Sequence, residues 1–244
     1  MTIDTINQQL DTLLMRGFKH SLEKQSLDPN FTKLNFEQRL YNLLEAEINE
    51  RSNRRIKRMI TQAKFKDSNA ELSNITYESK RELDRSVVLS LSSNEFIKKN
   101  QNILITGATG TGKSTLAQAL AKNAIYDNYS AKYYRVNTLL EEITLSRLEG
   151  AYTKLLSKIS KYDILILDDF GISPLTPDRI NDLFEVIEER TLNGSTIITA
   201  QLPISEWHSY LSNETIADAF MDRLIHTSHK IDLKGDSLRK LQEI

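Results

Sequence analysis

Three glycines, Gly107, Gly110 and Gly112, precede Lys113 and Ser114 in the stretch NILITGATGTGKST. The spacing G-x-x-x-x-G-K-[ST] is one in which backbone and side chains together bind a polyphosphate. Glycine lets the chain turn tightly, so successive N–H groups converge on phosphate oxygens. Residues Gly107, Ala108, Thr109, Gly110, Thr111, Gly112, Lys113, Ser114 and Thr115 are therefore expected to cradle ATP. Lys113 would reach the β- and γ-phosphates, and the Ser114 hydroxyl would complete a Mg²⁺ shell. A helix opening near Gly112 would aim the positive end of its dipole at the same anion.

A second element supplies carboxylates. The stretch YDILILDDFG is an apolar run ending on Asp168 and Asp169, 55 residues after Lys113, which is a Walker B arrangement. Adjacent carboxylates repel each other unless a cation offsets them. Asp168 is expected to serve the metal, accepting from Ser114 or a metal-bound water. Asp169 is then free to orient or deprotonate the attacking water. Downstream, STIITAQLP ends a further apolar run in polar residues. Thr199 or Gln201 there would contact the γ-phosphate or the water, or would simply cap the turn before Pro203. Arg223, in DAFMDRLIHTSHKIDL, is a candidate to clamp the phosphoryl group in a neighbouring subunit, the alternative being a salt bridge to Asp218 or Asp222.

Regular elements must hold these groups in place. Five β-like runs, NILIT (102–106), KYYRV (132–136), DILIL (163–167), STIIT (195–199) and HKIDL (229–233), alternate with helical stretches. That alternation predicts a parallel sheet with helices on both faces. Gly194 after EERTLN reads as a helix stop. Before residue 66 the pattern is helical, broken at LDPN (27–30) and restarted with Asn35 as N-cap. The boundary is expected near 67–80, where periodicity fades and Ser, Asn and charge accumulate, giving a helical domain 1–70 and an ATPase domain 71–244. Only about a dozen residues follow the fifth strand, too few for a helical lid.

Composition narrows the classes. The net charge of −1 divides unevenly, +4 over residues 1–66 and −5 over the rest, as for a basic module joined to an acidic one. The absence of cysteine excludes disulfides and thiolate chemistry. His226 and His229 sit three apart without an evident third ligand, so they read as ordinary histidines. No apolar stretch would span a bilayer, and the polar, acidic start is unlike a signal peptide, which predicts a soluble cytoplasmic protein without a membrane partner. The segment RSNRRIKRMITQAKFK carries seven basic residues and no acid. As a helix it places Arg51, Arg54, Arg55 and Arg58 on one face, with Lys57, Lys64 and Lys66 beside them, opposite Ile56, Met59, Ile60 and Ala63. Such a stripe suits phosphate contacts on duplex DNA that are largely blind to sequence, or else is a solvated face or protein-binding surface. A weaker DNA candidate holds Arg147, Lys154, Lys158 and Lys161 among interspersed acids.

GATGTGKSTLAQAL, YDILILDDFG, STIITAQLPISEWHSYL and TIADAFMDRLIHTSHKIDLKGDSLRK together resemble the IstB-like ATP-binding helpers of insertion-sequence transposition. These are similar to DnaC-type helicase loaders and belong to the AAA+ ATPases. The resemblance extends upstream through NFEQRLYNLLEAEINERSNRRIKRMITQAKF and LDRSVVLSL. It implies an AAA+ P-loop fold with a five-stranded core, Lys113, Asp168 and Asp169 in the roles above, and Thr199 or Gln201 near the sensor position. It makes Arg223 the leading finger candidate, and leaves Arg239 in the tail for a lid-like part. It also implies a homo-oligomer assembling with ATP on target DNA, which is handed to a transposase. A helicase loader is the alternative, differing in its partner. A small-molecule P-loop kinase would account for Lys113 and Ser114 but not for the basic helix, the aspartate pair or Arg223. A nucleotide-gated binding protein with negligible turnover is the remaining reading. Aspartate at 169, one methylene shorter than the glutamate common in AAA+ proteins, predicts slow turnover outside a closed interface.

Overall fold

The computed structural model describes residues 2–226 and 228–238. The chain forms two compact units that meet in sequence at Arg58 and Met59. The first holds α1 (Ile3–Thr12), α2 (Arg16–Leu27) and most of α3 (Phe36–Ala63). Asn35 opens α3 through a reciprocal cap: its Oδ1 accepts from the Gln38 N–H at 2.8 Å, and Gln38 Oε1 accepts from the Asn35 N–H at 3.1 Å. Glu47 on α3 is buried and accepts from the N–H groups of Gly17 and Phe18, at 2.8 and 3.2 Å, which ties α2 to α3.

The division falls earlier than the expected boundary at 67–80. That segment lacks periodicity because it is strapped to a helix. Gln118 Oε1 accepts from the N–H groups of Lys66 and Asp67, at 2.7 and 2.9 Å. Lys122 Nζ donates to the Ser68 carbonyl at 2.8 Å and pairs with Glu71 at 2.6 Å. Residues 67–80 thus belong to the second unit.

That unit continues through α4 (Arg85–Ser92), α5 (Glu95–Lys98), β1 (Asn102–Gly107), α6 (Lys113–Tyr126), β2 (Ala131–Arg135), α7 (Val136–Leu148), α8 (Tyr152–Ser160), β3 (Ile164–Phe170), α9 (Pro177–Arg190), β4 (Ser195–Ala200), α10 (Trp207–Tyr210), α11 (Glu214–Ile225) and β5 (Ser228–Leu233). The five strands are parallel in the order β2-β3-β4-β1-β5. Alternation along each strand sends Leu104, Leu165, Leu167 and Ile198 into one core with α7, α8, α9 and α11. Phe170 anchors that core, 4.6 Å from the Trp207 ring and 5.9 Å from Phe220. Buried Leu116, Ala117 and Leu120 place α6 against the sheet's other face.

Two local expectations change. β3 runs through both aspartates to Phe170, with a register shift against β4 between Leu167 and Phe170. Gly194 is not the left-handed helix stop, a role taken by Leu192 at φ 66°. It is small because Arg190 crosses it: a Cβ there would lie 2.8 Å from the guanidinium. Arg190 itself is buried and donates to the carbonyls of Ile159, Tyr162 and Ser195 at 2.7–2.9 Å.

Candidate functional site

β4 lies between β1 and β3, so the loop after β1 and the carboxylates closing β3 share the carboxyl edge of the sheet. Ligands in open parallel α/β sheets bind along that edge. The loop turns through Gly107 at φ 141°, Gly110 at 84° and Gly112 at 88°, backbone conformations that side chains disfavour. α6 begins at Lys113, whose ammonium donates to the carbonyls of Gly107 and Ala108, both at 2.7 Å. Ala108 and Thr109 form the exposed crest, Thr111 is fully buried, and Thr115 is half-buried on the first turn of α6.

Asp168 is 1% exposed and satisfied entirely by hydroxyls. Its Oδ1 accepts from Ser114 Oγ at 2.6 Å and from the Thr199 hydroxyl, and its Oδ2 accepts from Tyr133 Oη at 2.6 Å. Burial, then the charge of Asp168, pushes the Tyr133 phenol well above its usual range, so it stays a donor. The pair of hard oxygen donors from Ser114 and Asp168, at the start of a helix, fits Mg²⁺, which needs few protein ligands. Asp169 has the opposite surroundings. The β3 irregularity puts it at φ 66°, and its side chain is 41% exposed, 3.5 Å from the Arg135 guanidinium. A bulge of this kind re-aims a side chain, and here it gives neighbouring carboxylates separate environments.

Thr199 and Gln201 also separate. Thr199 is buried, with its hydroxyl on Asp168 and the Asp169 N–H 3.3 Å away. Gln201 is exposed and lines an open cleft of about 640 Å³ with Gly107, Ala108 and Asp232. Arg223 lies at the far edge of the sheet. Its carbonyl accepts from Asn102, the first residue of β1, which puts it roughly 17 Å, about five strand residues, from the loop of its own chain. Its guanidinium pairs with Glu188 rather than with Asp218 or Asp222, and stacks 5.0 Å from the Phe184 centroid. Asp218 and Asp222 instead face His208 and His226. Arg239 lies outside the described residues.

The basic stripe is partly spent within its own helix. Arg51 pairs with Glu47 at 2.6 Å, and Arg54 with Glu50 at 3.4 Å. Burial pushes the Glu47 carboxyl up, but Arg51 and the N–H groups of Phe18 and Gly17 outweigh that and hold it below its usual value. Arg55, Lys57, Arg58, Lys64 and Lys66 remain exposed. In the second candidate, Arg147 is engaged: it pairs with Asp182 at 2.6 Å and stacks 3.7 Å from the Tyr152 ring, leaving Lys154 exposed. Among the described residues there is no cluster of three or more His, Asp or Glu that could hold a metal, and no helix long and apolar enough to cross a membrane.

Sequence reasoning missed Tyr133, Arg135 and Arg81. Arg81 sits in a stretch that reads as linker, yet it is 3% exposed. It donates to the Thr111 carbonyl at 2.8 Å and to the Thr76 carbonyl at 2.6 Å. A Cβ on Gly112 would lie 2.8 Å from its guanidinium, so the glycine makes room for this strut. Closing the loop's other side, Leu238 N–H donates to the Gly110 carbonyl at 2.9 Å.

The sheet order, the glycine-rich loop and the paired β3 aspartates define an AAA+ P-loop fold. The same fold occurs in the DnaC helicase loader, with a TM-score of 0.57 at 22% identity, covering 68% of this chain and 98% of that one. It occurs again in DnaI, with a TM-score of 0.58 at 22% identity, covering 68% and 92%. Residues 8–244 match the family of IstB-like ATP binding proteins, and the chain belongs to it. Relatives include y4pL of Sinorhizobium fredii, named as an insertion sequence ATP-binding protein, 37% identical over 96% of this chain and 95% of its own. The ATP-binding protein named for insertion sequence IS1162 of Pseudomonas fluorescens is 38% identical over 84% and 88%.

Proposed function

We propose that this protein is an ATP-hydrolysing helper of insertion-sequence transposition that assembles on duplex DNA and delivers it to the element's transposase. One observation carries the nucleotide chemistry: Ser114 and Asp168 meet at 2.6 Å beside the loop, while Asp169 is turned outward. Bound at Ser114 and Asp168, Mg²⁺ would neutralise charge on the β- and γ-phosphates. Lys113 holds those phosphates, and the loop N–H groups fix their orientation. Asp169 accepts the proton of the attacking water, and Gln201, at the cleft, contacts the γ-phosphate side. Thr199 acts behind them by holding Asp168.

Arg223 lies too far from its own loop to act there, which supports a site completed by the Arg223 of an adjacent subunit. Hydrolysis then depends on assembly. The exposed cations Arg55, Lys57, Arg58, Lys64 and Lys66 supply phosphate contacts without base reading. Membership in a family whose relatives are named for insertion sequences supports a transposase as the partner.

Sizing with ATP, Mg²⁺ and duplex DNA tests the reading. The wild type forms large oligomers, Lys113→Ala does not, and Asp169→Asn assembles but hydrolyses ATP at least about tenfold more slowly. A wild type that stays monomeric under these conditions refutes the assembly reading. Undiminished turnover in Asp169→Asn removes that residue from catalysis.

A further inference from the structure

Asp168 is 1% exposed, and among the described residues no cation pairs with it, so hydrogen bonds must satisfy its carboxyl oxygens. Three hydroxyls take that role. Ser114 and Thr199 share Oδ1, whereas Oδ2 has Tyr133 Oη, 2.6 Å away. Tyr133 comes from a different strand, and the register explains its reach. β2 pairs with β3 so that Arg135 stands opposite Asp168, and Tyr133, two residues earlier, lies on the same face as Arg135. The ring is buried, and its hydroxyl donates to the Oδ2 edge of the carboxylate.

We propose that Tyr133 is a positioning residue for Asp168, fixing the carboxylate plane so that the Oδ1 edge stays toward Ser114 and the nucleotide's metal. The proposal rests on the reading of Asp168 as the residue serving Mg²⁺. Hydroxyls on a ligating carboxylate commonly set both its orientation and its affinity for metal. A carboxylate with Oδ2 released can rotate about its last torsion, which is broad and soft for aspartate. The Oδ1 edge then faces Ser114 for only part of the time, and metal affinity falls while the phosphate-binding loop is untouched.

Tyr133→Phe removes the hydroxyl and keeps the ring that packs β2. A fluorescent ATP analogue is bound to wild type, Tyr133→Phe and Asp168→Asn, first in EDTA and then with titrated Mg²⁺. The expected result for Tyr133→Phe is unchanged affinity in EDTA and a Mg²⁺ midpoint raised about tenfold. If Asp168→Asn shifts the midpoint and Tyr133→Phe stays within about twofold of wild type, Tyr133 has no positioning role and the metal reading stands. If Asp168→Asn leaves the midpoint in place, the metal reading fails and the proposal with it. An equal loss for Tyr133→Phe in EDTA and in Mg²⁺ also overturns the proposal, because it marks a general disturbance of the site.

Discussion

Arg81→Ala offers a direct test of how the phosphate loop is held open. The guanidinium is buried and bridges two segments, donating to both oxygens of Thr76 at 2.6 and 2.9 Å and to the Thr111 carbonyl at 2.8 Å. The bonds to Thr76 hold the preceding segment, whereas the one to Thr111 acts on the loop itself. A hydrogen bond from a charged donor contributes about 1.5–3 kcal/mol net, so the loop loses roughly that much ordering energy. If the loop must regain its shape on binding, the same energy comes out of nucleotide affinity. At 1.4 kcal/mol per decade, that is about 10- to 100-fold weaker binding. Arg81→Lys keeps the charge but cannot span both carbonyls with a single ammonium, and its loss is expected to be smaller. Anisotropy of a fluorescent ATP analogue at fixed free Mg²⁺ measures the effect, with thermal melting as the check on folding. A folded Arg81→Ala protein that binds within about twofold of wild type would refute the strut.

Two further outcomes follow from charge. Burial first, then the charges of Lys64 and Lys158, lower the pKa of Lys132 from 10.5 to about 8. Below pH 8 the ammonium is charged in both folded and unfolded chains; between pH 8 and 10.5 the unfolded chain binds more protons, so this lysine makes stability rise with pH. Wild type should therefore gain on Lys132→Met by up to ~3 kcal/mol across that window, and a flat difference in urea denaturation would exclude it. On the basic helix, changing Arg55, Lys57 and Arg58 to Glu should weaken DNA binding and flatten its log–log salt slope by about 0.9 for each phosphate no longer neutralised, with ATP affinity unchanged. An unaltered slope removes those residues from the DNA interface. Arg54, paired with Glu50, should matter less for DNA than for holding α3.

Much of the molecule is legible one segment at a time. Five apolar runs and the helices between them announce the parallel sheet, because strand and helix periodicities are local properties of the chain. The loop is equally plain, since its glycines, Lys113 and Ser114 are contiguous and their chemistry depends on spacing. The pairing of Asp168 with Ser114 also follows from the motifs. Tyr133 and Arg81 do not, because each acts across a register or a fold-back that no local pattern encodes. The same holds for Arg51 and Arg147, which read as free cations until Glu47 and Asp182 are found beside them.

The sequence alone therefore determined that the three loop glycines, Lys113 and Ser114 stand together, and that Asp168 and Asp169 close one strand, since neighbours along a loop or a strand end stay neighbours in any fold. Only the tertiary structure decided which carboxylate is enclosed and which faces solvent. Alternation along a strand points successive residues to opposite faces but does not say which of them is enclosed. Here the bulge at Asp169 and the hydroxyls of Ser114, Thr199 and Tyr133, brought from a helix and two other strands, set the two apart. It likewise decided that Arg223 stands at the far edge of its own sheet, because a parallel strand puts its beginning and its end a full strand length apart.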